Sequence, residues 1–314
     1  VNNKSNNTST IIIDGNNLFF KAFAVNQNKI LKQEPGANEL GAVYITLTSV
    51  RRCLNKFKYK EAFITWDKPV FKGSHYRYTL TKNQYKINRK PKPENFYVLL
   101  DHCVELCKYL GVKTILPYRL EADDVVSYIA LKSEKPCIIC TGDNDLLQLL
   151  VHEGISVYNT SKDVLINKHN ILAYYPVEAE NVIRYKAFLG DTADNIDGLD
   201  GYGEKKSVRI FENYTESINK LTTEQKEKVL LNQKIISLGY GLTCDEHRSS
   251  EIPFLQKQLD EQKNLKPDYD TFFAKCEKYG FDAIYKDKSR WRLIAEDNRM
   301  TGILTQMFES LIDK

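Results

Sequence analysis

No stretch of the 314 residues approaches the roughly 18 consecutive apolar residues of a membrane span, so no membrane association is expected. The start of the chain, Val1 to Thr10, is polar and asparagine-rich with no apolar run; it reads as a disordered leader and not as a secretory signal. A soluble protein of the cytoplasm is the expectation. There is also no internal repeat and no low-complexity linker.

Histidine is scarce, with five in the whole chain, and no pair of them accompanies the acidic motifs described below. Cysteine is present in odd number, seven, and without secretory context these are expected to be reduced core residues. Cys137 and Cys140 form a C-x-x-C, but within an apolar run of strand type, where an offset of three sends the side chains to opposite faces. Core packing is the expectation there, and likewise for Cys103 and Cys107 on one apolar helix face.

What the chain does have is ordinary globular composition, 42% hydrophobic and 27% charged, with a net charge of +4. Thr10 to Ile13 is a β-branched run that ends at Asp14-Gly15-Asn16-Asn17, which reads as a buried strand and a turn. From Leu40 the apolar residues Val43, Tyr44, Leu47, Val50 and Leu54 recur at helical spacing. Ala62 to Trp66, Val112 to Leu116, Cys137 to Thr141 and Ile155 to Tyr158 read as further strands. A helix from Phe96 to Leu110 is closed by Gly111, and another opens at Glu121.

Alternating strands and helices predict an α/β fold, a mainly parallel sheet flanked by helices, over residues 11–176. Residues 177–314 lack strand signals and are read as a helical subdomain.

Acidic residues stand just past one strand end after another: Asp14, Asp67, the group Glu121, Asp123 and Asp124, then Asp143 and Asp145. In an open parallel sheet these ends face one crevice. Asp191 and Asp194 follow a later helix. A single such acid is usually a turn or cap residue; capping could explain one of Glu121, Asp123 and Asp124 but not all three.

Like charges about 4 Å apart repel by roughly 4 kcal/mol per pair at an effective dielectric of 20, so divalent cations are the natural counterpart. All-oxygen donors imply Mg²⁺ or Mn²⁺ and not zinc. With those nine acids set aside, 45 basic groups face 32 acidic ones, a phosphate-seeking exterior around an acidic cleft.

Taken together, Ile13-Asp14-Gly15-Asn16, Asp67, Glu121-Ala122-Asp123-Asp124, Thr141-Gly142-Asp143-Asn144-Asp145 and Gly190-Asp191-Thr192-Ala193-Asp194-Asn195 resemble the motifs of the 5′ nucleases. That family includes the nuclease domain of bacterial DNA polymerase I, stand-alone bacteriophage enzymes and the flap endonucleases. The resemblance runs from about Ile11 to Tyr214 and in outline to Tyr285. No polymerase-like segment follows, so a stand-alone enzyme of phage type is the closer likeness.

The resemblance implies a PIN-like core and a two-metal, Mg²⁺-dependent flap endonuclease and 5′-3′ exonuclease that leaves 5′-phosphate and 3′-hydroxyl ends. Asp14, Asp67, Glu121, Asp123 and Asp124 would surround the first ion, and Asp143, Asp145, Asp191 and Asp194 the second. DNA with a 5′ flap, a nick or a 5′ end would be the substrate, RNA–DNA hybrids an option, and the enzyme a monomer.

Between Lys68 and Tyr97 eight lysines or arginines and six aromatics accompany one acid, Glu94. Cations for phosphates and rings for unstacked bases suit single-strand binding; a solvated basic loop is the plain alternative. By the resemblance, 68–97 would form the arch over the active site. Tyr85-Lys86-Ile87-Asn88-Arg89 matches a family signature in which Lys86 and Arg89, on one face if helical, contact the scissile phosphate alongside Asp67 and Asp123. Lys186 matches a further basic position.

Gly198 to Lys206 is a glycine-rich turn opening a helix, suited to backbone approach to a phosphate. It resembles the helix-hairpin-helix of these enzymes, here near 183–214. Gly201, Gly203, Lys205 and Lys206 would then grip duplex DNA and could hold K⁺, although Tyr202 replaces the usual Ile or Val. A PIN-class RNA nuclease would be shorter and lack the basic excursion and the hairpin, and a non-enzymatic DNA-binding protein would be expected to have lost carboxylates.

Overall fold

Ile11, Ile12 and Ile13 are wholly buried, which requires cover on both sheet faces, and the computed structural model supplies it. It describes residues 8–67, 75–243 and 245–292; the expected leader lies outside these except at its last residues. There the strand begins earlier than expected, because Ser9 N–H donates to the Lys58 carbonyl and Thr10 N–H to that of Pro136.

Among the described residues six strands form one sheet: β1 (Ser9–Asp14), β2 (Tyr59–Thr65), β3 (Lys113–Ile115), β4 (Cys137–Thr141), β5 (Ile155–Asn159) and β6 (Val164–Ile166). Their order is β3-β2-β1-β4-β5-β6. The first five are parallel and β6 is antiparallel. Having built β1, β2 and β3 in one direction, the chain returns to place β4 on the other side of β1, so a topological switch point lies between β1 and β4.

Alternation sorts the strand side chains. Ile11, Ile13, Ile138 and Cys140 enter one core with α1 (Gly15–Leu31), α2 (Gly41–Lys56) and α4 (Phe96–Tyr109), whereas Ile12, Cys137 and Ile139 enter the other with α5 (Ala122–Lys132). Cys137 and Cys140 thus face opposite layers as buried thiols, and burial pushes Cys137 up to about 11. A short α3 (Tyr76–Leu80) lies within the basic excursion.

Beyond β6 the described chain is mostly helical: α6 (Val182–Leu189), α7 (Glu204–Arg209), α8 (Tyr214–Asn219), α9 (Thr223–Ile236), α10 (Tyr240–Thr243), α11 (Asp245–Glu261), α12 (Tyr269–Lys278) and α13 (Asp282–Lys286). Between α6 and α7 a two-stranded ribbon, β7 (Gly190–Asp191) and β8 (Ile196–Asp197), was not foreseen. It needs glycine at 190, where φ is +84° and a Cβ would meet the backbone of Ile196 at 2.6 Å. Phe272, Phe273 and Ile284 carry α12 and α13 back onto the first core.

Helix α11 closes the β3 margin with side chains. The amide of Gln262 donates to the Thr114 carbonyl and accepts from the Thr114 N–H, 2.8 Å each, and Gln258 does the same at Leu116 at 2.8 and 3.0 Å.

The turn expected at Asp14 to Asn17 is instead the start of α1. Asp14 caps that helix by accepting from Asn17 N–H at 2.9 Å, and Leu18, Phe19, Ala22 and Phe23 form its buried face. Gly15 is obligatory there, since a Cβ would lie 2.6 Å from the Thr65 carbonyl oxygen and 2.7 Å from the Trp66 ring.

The basic excursion also differs from expectation. Lys68, Lys72 and Phe71 lie outside the described residues. Arg77 is buried, as are Tyr76, Tyr85 and Phe96, so these rings are core and not free stacking platforms. Lys86 and Arg89 sit in a turn, Lys86 with φ +53°, and not on a helix. Among the described residues no helix is long and apolar enough to cross a membrane.

Candidate active site

The carboxyl ends of β1, β2 and β4 are knitted by two asparagines. Asn16 donates to Asp67 Oδ2 at 2.5 Å and accepts from Asp67 N–H at 3.0 Å, while Asn17 Oδ1 accepts from Gly142 N–H at 2.9 Å. Thr141 Oγ1 donates to Asp14 Oδ2 at 2.7 Å, and Ala122 N–H, at the first turn of α5, donates to Asp67 Oδ1 at 2.6 Å. The result is a cleft of about 620 Å³ lined by Asp14, Asp67, Asp123 and Asp143, with Lys86, Arg89, Lys90 and Lys92 at its rim and Phe20, Phe23 and Phe96 on one wall.

A smaller cavity of about 160 Å³ shares Glu121, Asp123, Asp143, Lys86 and Arg89 with the first and adds Asp145, Lys186, Asp191 and Asp194. Ligand atoms of Asp145, Asp191 and Asp194 lie within 4.8 Å of one another.

The nine acids divide by their cations. Glu121 pairs with Lys86 and, at 3.2 Å, with Arg77; Asp194 pairs with Arg89 at 2.6 Å; Lys186 pairs with Asp145 and, at 2.7 Å, with Asp191. Asp124 is 0% exposed and takes both Arg77 nitrogens, at 2.6 and 2.8 Å. No comparable ion pair reaches Asp14, Asp67, Asp123 or Asp143 among the described residues.

Asp124 is therefore not where the sequence reading put it. It points into the protein, its Oδ1 accepting also from Gly239 N–H at 3.2 Å, and its charge is already balanced. The neighbouring group His75, Glu121 and Asp124 has metal-like spacing, but Arg77 NH1 stands among all three and fills that role.

Protonation follows the same division. Burial drives Asp123 well above the carboxylate range, and the charges of Asp14, Asp143, Asp67 and Glu121 add to it. Burial likewise lifts Asp14 to about 7 against the hydrogen bonds of Asn17 and Thr141, and it raises Asp67. Asp145 stands at about 6, because burial together with Asp143 and Asp191 outweighs the firmly charged Lys186. Burial opposes ionisation of Glu121 too, yet Lys86 and Arg77 bring it down to about 2.

Such a set of hard oxygens, buried at Asp14 and half-buried at Asp67, Asp123 and Asp143, without cation partners among the described residues, fits divalent cations. The sign of the pH dependence follows. As pH rises from about 4 to about 7, the unfolded chain loses protons that folded Asp14 and Asp145 retain, so metal-free stability falls across that window and then levels. A divalent cation would bind the ionised form; at a hundredfold excess over Kd one site would add about 2.7 kcal/mol, roughly 5 °C in a chain of this size. Melting curves with Mg²⁺ or EDTA should show the larger shift at pH 8 and a small one at pH 5. Equal shifts at both would contradict this assignment.

The turn at 84–89 lies on the 193–195 turn: the single Tyr85 Oη hydrogen is shared between Glu121 at 2.8 Å and Asp194 at 3.0 Å, and Lys86 N–H donates to the Asp194 carbonyl at 2.9 Å. Tyr85, Lys86, Arg89 and Lys186 thus converge with the carboxylates. Gly201, Gly203, Lys205 and Lys206 line neither cavity; Gly201 has φ +77°, Gly203 precedes α7, and Lys206 Nζ sits 3.8 Å over the Tyr202 ring.

Sequence reasoning counted Arg77 among the phosphate-seeking cations and did not single out Asn17 or Thr141. Thr141 stands inside the Thr-Gly-Asp-Asn-Asp motif and Asn17 directly follows the Ile-Asp-Gly-Asn one, with the hydroxyl and amide groups that a strand-end network requires.

Residues 9–176 match the family described as "5′-3′ exonuclease, N-terminal resolvase-like domain". The 5′-3′ exonuclease of Buchnera aphidicola (Schizaphis graminum strain) is 29% identical over 209 residues, covering 65% of this chain and 70% of that one. DNA polymerase I of Caldicellulosiruptor bescii is 27% identical over 254 residues, 75% of this chain but only 29% of the polymerase. The flap endonuclease of bacteriophage T5, solved as a pseudo-enzyme–product complex with DNA and metal ions, shares the fold, with a TM-score of 0.64 at 20% identity over 82% of this chain and 98% of the other.

Proposed function

The chain belongs to the 5′-3′ exonuclease family, and from that premise we propose that it is a Mg²⁺-dependent flap endonuclease and 5′-3′ exonuclease acting on DNA. The observation that carries this reading is the group Asp14, Asp67, Asp123 and Asp143: four acids in one cleft, without cation partners among the described residues, beneath a rim of Lys86, Arg89, Lys90 and Lys92. Asp14, Asp67, Asp123 and Asp143, with Glu121 at the margin, would hold one ion, and Asp145, Asp191 and Asp194 a second; Asp143, expected beside the second ion, lines both cavities and is assigned here to the first. Mn²⁺ would substitute for Mg²⁺. Bound there, the ions supply a lowered pKa for the attacking water and stabilisation of the leaving oxygen.

The chain's own groups do the rest. Lys86 and Arg89, presented by one turn, would reach the scissile phosphate from the rim, and Lys186, held between Asp145 and Asp191, lines the smaller cavity with them. Phe20, Phe23 and Phe96 give an apolar wall against which the terminal nucleotide can rest, shielding the reacting phosphate from bulk water. The segment around Gly201, Gly203, Lys205 and Lys206 would grip duplex phosphates as part of a helix-hairpin-helix over 183–214, with K⁺ on backbone carbonyls. The leader at 1–10, the nuclease core at 11–176 and the helical subdomain at 177–314 form the proposed division of labour. Removal of 5′ flaps or of RNA primers by a cytoplasmic monomer is the role this suits.

The test is a side-by-side assay of a 5′-labelled flap, a nicked duplex and an RNA–DNA hybrid. Cleavage of the flap in Mg²⁺, with 5′-phosphate products and loss of activity in EDTA, is the expected result. Undiminished cleavage after exhaustive chelation would overturn the reading.

A further inference from the structure

The loop that ends α9, residues 235–239, is gripped from three directions. Arg77 Nε donates to the Ile235 carbonyl at 2.7 Å, Tyr76 Oη to that of Ser237 at 3.3 Å, and Gly239 N–H donates to Asp124 at 3.2 Å. Asn232, earlier on α9, donates to the carbonyls of Ala187 and Asp197, 2.9 Å each, tying the helix to the ribbon that carries Asp191 and Asp194.

A further grip comes from Gln148, 4% exposed within the turn that begins at Asp145. Its Oε1 accepts from Leu238 N–H at 2.9 Å, and its Nε2 donates to the Ile236 carbonyl at 3.3 Å and to the carbonyl of Asp145 itself at 2.8 Å. Both amide hydrogens and one acceptor position are used.

We infer that Gln148 is a positioning residue: it fixes Asp145 against the end of α9, and through Asn232 on the same helix it sets the separation between Asp145 and the Asp191–Asp194 pair. This rests on the reading above, in which those three acids hold the second ion. Outer partners that orient metal-binding acids typically change affinity by about 10–100-fold when removed.

The experiment is a titration of the full chain with Mn²⁺ followed by electron paramagnetic resonance, alongside flap cleavage over a range of Mn²⁺. Wild type should bind two ions. Gln148→Leu should keep the tighter one and weaken the other about 10–100-fold, raising the Mn²⁺ needed for half-maximal rate while leaving the KM for DNA unchanged. Gln262→Leu removes an amide that pairs with β3, far from these acids, and should lower the melting temperature without altering either Mn²⁺ affinity.

If Gln148→Leu does not fold, Gln148→Glu serves: its carboxylate still accepts from Leu238 N–H but has no hydrogen for Asp145. Unchanged binding of the second ion in the folded variant, or the same loss in Gln262→Leu, would overturn the inference. Fewer than two ions on the wild type, or two on Asp145→Asn, would bring down the two-ion reading instead.

Discussion

Asp123→Asn should cut cleavage of a 5′ flap by at least about a thousandfold while raising the melting temperature of the metal-free protein. The two effects have one cause. Asp123 lies in the cleft with Asp14, Asp67 and Asp143 and has no cation of its own among the described residues; burial and its neighbours push its pKa well above the usual carboxylate range. The amide carries no charge in either state and so escapes the penalty of burial and like-charged neighbours that raises the carboxyl's pKa and, by linkage, lowers metal-free stability at neutral pH.

It also removes a hard oxygen donor, and loss of about 4 kcal/mol of transition-state stabilisation is a factor of about 10³ in rate. DNA binding should persist, since Lys86, Arg89, Lys90 and Lys92 are untouched. Single-turnover cleavage, fluorescence anisotropy and melting in EDTA measure the three quantities. A variant within tenfold of wild type in rate would remove Asp123 from the metal centre.

Arg77→Met should destabilise the fold by about 3–5 kcal/mol, the range for removing one partner of a buried ion pair. Arg77 is 2% exposed and Asp124 0%, and the guanidinium satisfies both Asp124 oxygens, one Glu121 oxygen and the Ile235 carbonyl. Without it the Asp124 charge stays buried and unbalanced. The double variant Arg77→Met with Asp124→Leu should recover most of the loss, because an apolar replacement of both partners is often nearly neutral. Urea titrations of the three proteins decide this; a loss under about 1 kcal/mol in the single variant would show that water reaches Asp124.

The contrast between Arg77 and its neighbours marks where sequence ceased to inform. Convergence of Asp14, Asp67, Asp123 and Asp143 was legible because parallel strands fix the direction of every carboxyl end, whatever the loops do. The opposite fates of Cys137 and Cys140 were legible from strand alternation alone.

Arg77 was not, since eight cations in one basic stretch look alike until packing selects which of them meets a buried acid 47 positions away. The start of α1 was hidden for a related reason: Asp-Gly-Asn-Asn has turn composition, and only the Asp14 cap on Asn17 N–H turns it into a helix start. Lys86 and Arg89 converge on Asp194 without a helix, because contact with the 193–195 turn replaces helical periodicity.

Helix α11 gives the sheet a finished margin. Gln258 and Gln262 satisfy the outward amides and carbonyls of Thr114 and Leu116, where an exposed strand would otherwise invite another chain to zip alongside. The far margin is β6, like β3 only three residues long, which leaves little edge to template on either side. Self-association into fibres is thereby discouraged at both sides, and the glutamines responsible come from about 145 residues downstream of the strand they protect. A nascent chain therefore carries β3 unguarded until α11 has been synthesised.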